Sequence, residues 1–192
     1  MDIRELKRDT VFEAELRGFK LIFRTTWGLF SPKSIDAGTR LLIDQFDVSA
    51  GDTCLDLGCG YGGIGIVMAK LSRTGKVYMV DKDFVAVEYA QKNVQQNRIQ
   101  NCEALLSNAF SHVPEIKFDV IASNLPANAG KELLRIILIE AREHLKPNGK
   151  FYAVTISGLR AFIKRNSMEI FGNYQKVKQG RNHTVALAVS NP

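Results

Sequence analysis

The stretch LDLGCGYGGIG, residues 55–65, decides how the rest of the chain is read. Leu55, Asp56 and Leu57 end a short apolar run that begins at residue 52 and suits a buried strand. Gly58, Gly60 and Gly62 then let the backbone turn sharply and approach a ligand with no side chain between them. Residues 62–73 have helical spacing, so the turn opens onto a helix N-terminus with unpaired N–H groups. Gly58, Gly60 and Gly63 also satisfy the GxGxxG spacing of dinucleotide turns. Asp56 argues against a dinucleotide, because a carboxylate at the strand's end disfavours phosphates and favours a cationic group. Asp81 closes the next apolar run, 76–81, where a carboxylate can accept both hydroxyls of a ribose.

Working outward, the chain alternates. Helix 83–97 is capped by Asp83 and aligns Val87, Ala90 and Val94 on one face. Strands are expected at 103–107 and 118–123, then a long amphipathic helix at 129–145, stopped by the turn signal KPNG. A strand at 150–157, a helix at 158–172 and strands at 174–179 and 183–190 complete the series. The last two are joined by a turn short enough to force antiparallel pairing. This is an α/β pattern: a Rossmann-like, mostly parallel sheet with an antiparallel last strand and helices on both faces. Upstream, residues 11–26 alternate with period two around Arg17 and Gly18, the mark of a hairpin with Phe12, Ala14 and Leu16 on one face. The expected division is an N-terminal helix/hairpin extension and lid over 1–34, and the α/β domain over 35–192.

Composition bounds the function. The chain has 192 residues, 45% hydrophobic and 24% charged, ordinary for one globular domain. No apolar run is long enough for a membrane span, and the charged N-terminus does not read as a signal peptide, so the expected location is cytoplasmic. Cys54, Cys59 and Cys102 form no CxxC pair and have no histidine cluster beside them, so neither a disulfide framework nor a metal site is expected. His112, His144 and His183 fall in no motif; His183 is expected only to start the last strand. Lys and Arg number 26 against 20 Asp and Glu, for a net charge of +6. They gather at both ends: Arg4, Lys7, Arg8, Arg17, Lys20 and Arg24, then Arg160, Lys164, Arg165, Lys176, Lys178 and Arg181. A polyanion is the partner such a balance favours.

CLDLGCGYGGIG, residues 54–65, resembles motif I of the class I S-adenosylmethionine-dependent methyltransferases, and VYMVDKD, residues 77–83, resembles their ribose-binding acidic loop. The resemblance implies S-adenosylmethionine as cofactor, held by Asp56, Gly58, Cys59, Gly60, Tyr61, Gly62, Asp81 and Lys82. It also places Asn108 and Ala109, in SNAF, at the adenine, and Asn124 beside the methyl group.

SNLPANAG, residues 123–130, follows a strand that Pro126 must end. It is similar to the [ND]PP[FY] loop of methyltransferases that act on amide-like or amino nitrogens. Such a nitrogen is a poor nucleophile, and two acceptors help: the Asn124 side-chain oxygen and the Leu125 carbonyl, on a loop stiffened by Pro126. Leu125 stands where the family has its first proline, and Ala127 where it has an aromatic ring. A stacking ring must then come from elsewhere, with Trp27, Phe30 and Tyr61 as candidates. Together with GLFSPKSIDAGTRLLI ahead of motif I, the pattern resembles the methyltransferase small-domain family over residues 20–189. That family includes the ribosomal RNA small-subunit guanine-N2 methyltransferases. By the same resemblance Phe30, Lys33, Asp36 and Thr39 lie at or over the pocket, with Trp27, Phe30 and Lys33 on the substrate side. The bacterial group's N-terminal duplicate of this domain has no counterpart in these residues, so substrate positioning is expected from the basic surface or from a partner.

The resulting expectation is N-methylation of RNA, at guanine N2 of ribosomal RNA or a ribosomal subunit, by a monomer without a metal. The alternatives are a protein glutamine N5-methyltransferase, or a catalytically inactive RNA-binding protein of the same fold. An NAD-dependent oxidoreductase ranks last, on the strength of Asp56.

Overall fold

The alternating pattern resolves into a seven-stranded sheet and a separate two-stranded hairpin in a computed structural model that describes residues 2–191. The elements run α1 (Ile3–Leu6), β1 (Thr10–Leu16), β2 (Phe19–Thr25), α2 (Ala37–Ile43), β3 (Cys54–Leu57), α3 (Gly63–Leu71), β4 (Val77–Asp81) and α4 (Phe84–Gln96). They continue with β5 (Cys102–Leu106), β6 (Phe118–Asn124), α5 (Lys131–His144), β7 (Leu145–Ile156), a 3-10 turn (Ser157–Leu159), α6 (Arg160–Phe171), β8 (Gln175–Gln179) and β9 (His183–Val189).

The large sheet has the order β5-β4-β3-β6-β7-β9-β8. β9 runs antiparallel to both its neighbours, and the remaining pairs are parallel. From β3 the chain moves outward through β4 to β5, then returns to lay β6 on the other side of β3. The strand order therefore reverses between β3 and β6, and their carboxyl ends frame the crevice where open α/β sheets bind ligands. Period two along β3 sends Leu55 and Leu57 into one core layer and Cys54 into the other. α5 and α6 cover the first layer, while α2, α3, α4 and the hairpin cover the second.

The hairpin turns on Arg17 and Gly18, both in the left-handed region (φ 51° and 80°), as a two-residue turn requires. Leu16, Leu21 and Phe23 are buried in the main core, so the hairpin shares it. Asn93 of α4 and Asn97, its C-cap, satisfy the edge of β2. Asn93 exchanges bonds with the Arg24 N–H and C=O (2.7 and 2.9 Å), and Asn97 does the same with Ile22 (3.0 and 2.8 Å). An edge that would otherwise invite another strand is closed by side-chain amides. Arg17 donates to the carbonyls of Ile43, the last residue of α2, and of Phe46 beyond it, and so serves the helix end.

One expectation is corrected. KPNG does not separate α5 from the next strand. β7 begins at Leu145, paired with Phe118, and resumes at Lys150, paired with Val120, so the turn is an excursion within the strand. Asn148 is left-handed (φ 62°), and its N–H donates to the Ser190 carbonyl while the Ser190 N–H donates to Gly149. The signal for a tight turn was sound, but pairing to the end of β9 holds that turn inside the sheet. Among the described residues no helix is long and apolar enough to cross a membrane.

Candidate active site

At the carboxyl ends of β3 and β6 lies a cavity of about 650 Å³, within the range of small-molecule sites. Gly58 and Gly60 form one wall, with φ of +74° and +54° that side-chain-bearing residues rarely adopt. Space is open where their Cβ atoms would be, so the backbone itself faces the cavity. Asp81, at the end of β4, also lines it. One Asp81 oxygen accepts the Gly60 N–H (2.9 Å) and the other the Asp83 N–H (3.0 Å). This fixes the carboxylate and leaves each oxygen a second lone pair for a hydroxyl.

Asp56 is not where the sequence argument put it. It is fully buried and absent from the cavity wall; period two turns it under α3, where Oδ2 accepts the Gly65 N–H at 2.7 Å. Gly62, the N-cap of α3, has no side chain to cap with, so Asp56 does this from the strand below. Its Oδ1 is buried without a partner among the described residues. Burial pushes its carboxyl up to about 7; the Gly65 N–H opposes this, and the nearby Asp81 charge adds to it.

Across the cavity, Asn124 ends β6. Its Nδ2 donates to Thr39 Oγ1 (2.9 Å) and to Asp36 Oδ2 (3.2 Å), so the amide nitrogen is directed at α2. Asp36 is the N-cap of α2 and accepts the Gly38 and Thr39 N–H groups on the same oxygen. The Leu125 N–H donates to the Val154 carbonyl (3.0 Å) and its side chain is buried. A proline at 125 could not make that bond, so this loop is anchored by β7 and by the core instead. Pro126 and Ala127 are exposed on the rim.

Of the other expected residues, Cys59, Tyr61, Lys82, Asn108, Ala109, Phe30, Asp36 and Thr39 line the cavity, while Gly62, Trp27 and Lys33 do not. Among the three candidate rings the environments differ sharply. Tyr61 is buried edge-on against Phe12 and Phe23, and its hydroxyl donates to the Ser34 carbonyl (3.2 Å), so its ring is fixed in the core. Trp27 is exposed with the Lys7 ammonium over its ring, away from the cavity. Phe30 is 68% exposed and at the cavity mouth. Sequence reasoning missed His183, which also lines the cavity. Pairing of His183 with Ile156 puts it level with the end of β7, and a Cβ at Gly38 would come within 2.9 Å of its ring. Its place directly after the β8–β9 turn was the available signal.

Comparison with known proteins fits this geometry. Residues 20–186 match the methyltransferase small domain. The chain belongs to that family, whose members use S-adenosylmethionine. YbxB of Bacillus subtilis, an uncharacterized protein, is 38% identical over 72% of this chain and 70% of its own length. The ribosomal RNA small subunit methyltransferase C of Haemophilus influenzae is 34% identical over 79% of this chain and 46% of its own length. Among solved structures, the T. thermophilus 16S rRNA N2 G1207 methyltransferase, in complex with AdoMet and guanosine, superposes with a TM-score of 0.86 at 26% identity. That match covers 95% of this chain and 51% of the other. The chain thus spans about half the length of the ribosomal RNA methyltransferases it resembles.

Proposed function

We propose that this chain transfers a methyl group from S-adenosylmethionine to the exocyclic N2 amine of a guanine in ribosomal RNA. The observation that carries the reading is the fixed orientation of Asn124. Asp36 and Thr39 hold its Nδ2, so its carbonyl oxygen is the atom left for a substrate amine. The cofactor fits the opposite wall: Asp81 would hold the ribose hydroxyls, the Gly58–Gly60 backbone would leave room for the amino-acid portion, and Asn108 would bond the adenine. Bound there, S-adenosylmethionine supplies an electrophilic methyl on a sulfonium that leaves as a neutral thioether.

The chain's own contribution is positional and electrostatic. As the N–C bond forms, positive charge develops on the amine, and the Asn124 oxygen and the Leu125 carbonyl accept its two hydrogens more strongly than in the ground state. One of those protons is lost to solvent after transfer. Phe30 would stack on the base in place of the ring missing at Ala127. Exposed Arg160 bonds Gln179 at the end of β8 (3.3 Å), and exposed Lys178 and Arg181 flank the β8–β9 turn that leads into His183 of the cavity, where phosphates could be neutralised.

The test is methyl transfer from labelled S-adenosylmethionine to small-subunit ribosomal RNA, free and within the subunit, followed by nucleoside digestion. N2-methylguanosine is the expected product. Label in the protein fraction would instead indicate a glutamine methyltransferase, and no transfer to either would leave a binding protein of this fold.

A further inference from the structure

Asp36 has a feature its role as a helix cap does not require. All of its hydrogen bonds fall on Oδ2: the Gly38 N–H (2.9 Å), the Thr39 N–H (3.1 Å) and Asn124 Nδ2 (3.2 Å). No described residue donates to Oδ1. Nor is that atom sealed away, since the one buried side-chain oxygen without a partner among the described residues belongs to Asp56. The same two facts hold for Asn124 Oδ1. Both side chains line the cavity and are bonded to each other, so two acceptor oxygens, one of them charged, stand open side by side.

An acceptor pair selects a donor pair. Guanine offers one on its Watson–Crick edge, with the ring N1–H beside the N2 amine. Adenine and cytosine set a ring acceptor beside their amine, and uracil flanks its N–H with two carbonyls. A site built to bond an N–H group rejects analogues that lack it far more strongly than an apolar pocket rejects a change of size. We propose that Asp36 is the residue that specifies guanine, its Oδ1 accepting N1–H while Asn124 accepts from N2. The proposal rests on the guanine-N2 reading.

The experiment uses guanosine, inosine and 1-methylguanosine as competitive inhibitors of methyl transfer to small-subunit ribosomal RNA, with wild type and Asp36→Asn. Inosine keeps N1–H and lacks the amine; 1-methylguanosine keeps the amine and lacks N1–H. Asn is as good a helix cap as Asp. Its single oxygen is then occupied by the α2 cap, and its NH₂ is presented to the cavity. Asp36→Asn should weaken guanosine and inosine by about 10- to 100-fold, the loss of one bond to a charged group, and leave 1-methylguanosine unchanged. Affinity for S-adenosylmethionine serves as the fold control, and Asp36→Ser, which also caps, serves if Asn perturbs it. Equal inhibition of wild type and variant by inosine would overturn the proposal while N2-methylguanosine is still formed. Absence of N2-methylguanosine from the wild-type digest would instead remove the reading beneath it.

Discussion

Asn124→Asp changes one side-chain nitrogen to oxygen and should slow turnover near neutral pH at least as much as Asn124→Ala does. Were Asn124 only an acceptor, Asp would serve as well. The geometry says otherwise, because the atom replaced lies 3.2 Å from Asp36 Oδ2. Two unit charges at that separation repel by about 5 kcal/mol at an effective dielectric constant of about 20. The full value is not realised: the side chains splay, or one carboxyl takes up a proton, as in like-charge pairs. Either response disturbs the acceptor geometry. At about pH 8 the Asp variant should therefore be no faster than Asn124→Ala, itself slower by two to three decades for a lost transition-state acceptor worth about 2.7–4 kcal/mol. Acidification should separate the two. A shared proton restores the bond between residues 36 and 124 and frees an oxygen for substrate, so the Asp variant gains activity as pH falls. The midpoint should lie above the ordinary carboxylate value of about 3.9. Single-turnover methyl transfer across that range, with cofactor affinity measured alongside, makes the comparison. A flat pH profile with a rate above that of Asn124→Ala would refute the reasoning.

Asp81→Ala should lower affinity for S-adenosylmethionine by about 10- to 100-fold, the loss of a charged acceptor worth roughly 1.5–3 kcal/mol, as read by isothermal titration. Phe30→Ala should weaken RNA binding by about 1–3 kcal/mol while leaving cofactor affinity unchanged, with recovery in Phe30→Tyr, as read by filter binding. Asp56→Asn should be more stable than wild type above pH 7 and equal to it near pH 4. With the folded value near 7 and the unfolded one at 3.8, wild type keeps full stability below 3.8 and loses it as pH rises toward 7. At about 1.4 kcal/mol per pH unit the difference is bounded at about 4 kcal/mol, and denaturation midpoints measured against pH test its sign.

The sheet was legible because its signals were local and redundant. Each core strand is a short apolar run, each helix has a period, and the βαβ order admits few topologies. The hairpin register followed from alternation about Arg17 and Gly18. The excursion at KPNG could not be read in the same way: a proline and a glycine mark a turn, but only Ser190, 42 positions beyond Asn148, determines that the turn stays within the sheet. The asparagines that close the edge of β2 were equally hidden, since their partners lie about 70 residues upstream.

The site divides along the same line. The glycine turn, Asp81, Asn108 and the loop from Asn124 each sit at a strand's carboxyl end, so the topology alone brings them to one cavity. Asp56 was misread because its type was weighed without its direction. On a strand, one residue's offset from the end selects the opposite face, and there a carboxylate meets a helix N-terminus instead of a ligand. Asp56 therefore says nothing against a dinucleotide, and the family match carries that conclusion instead. The same lesson applies to Ala127 and Leu125, the two positions where the loop departs from the motif. The motif's rigidity is supplied by a backbone bond to Val154, and an exposed ring stands at the mouth from a loop nearly a hundred residues earlier. What a loop loses in its own sequence can be replaced from across the cavity, so a departure from a motif tests function only when the facing wall is read with it.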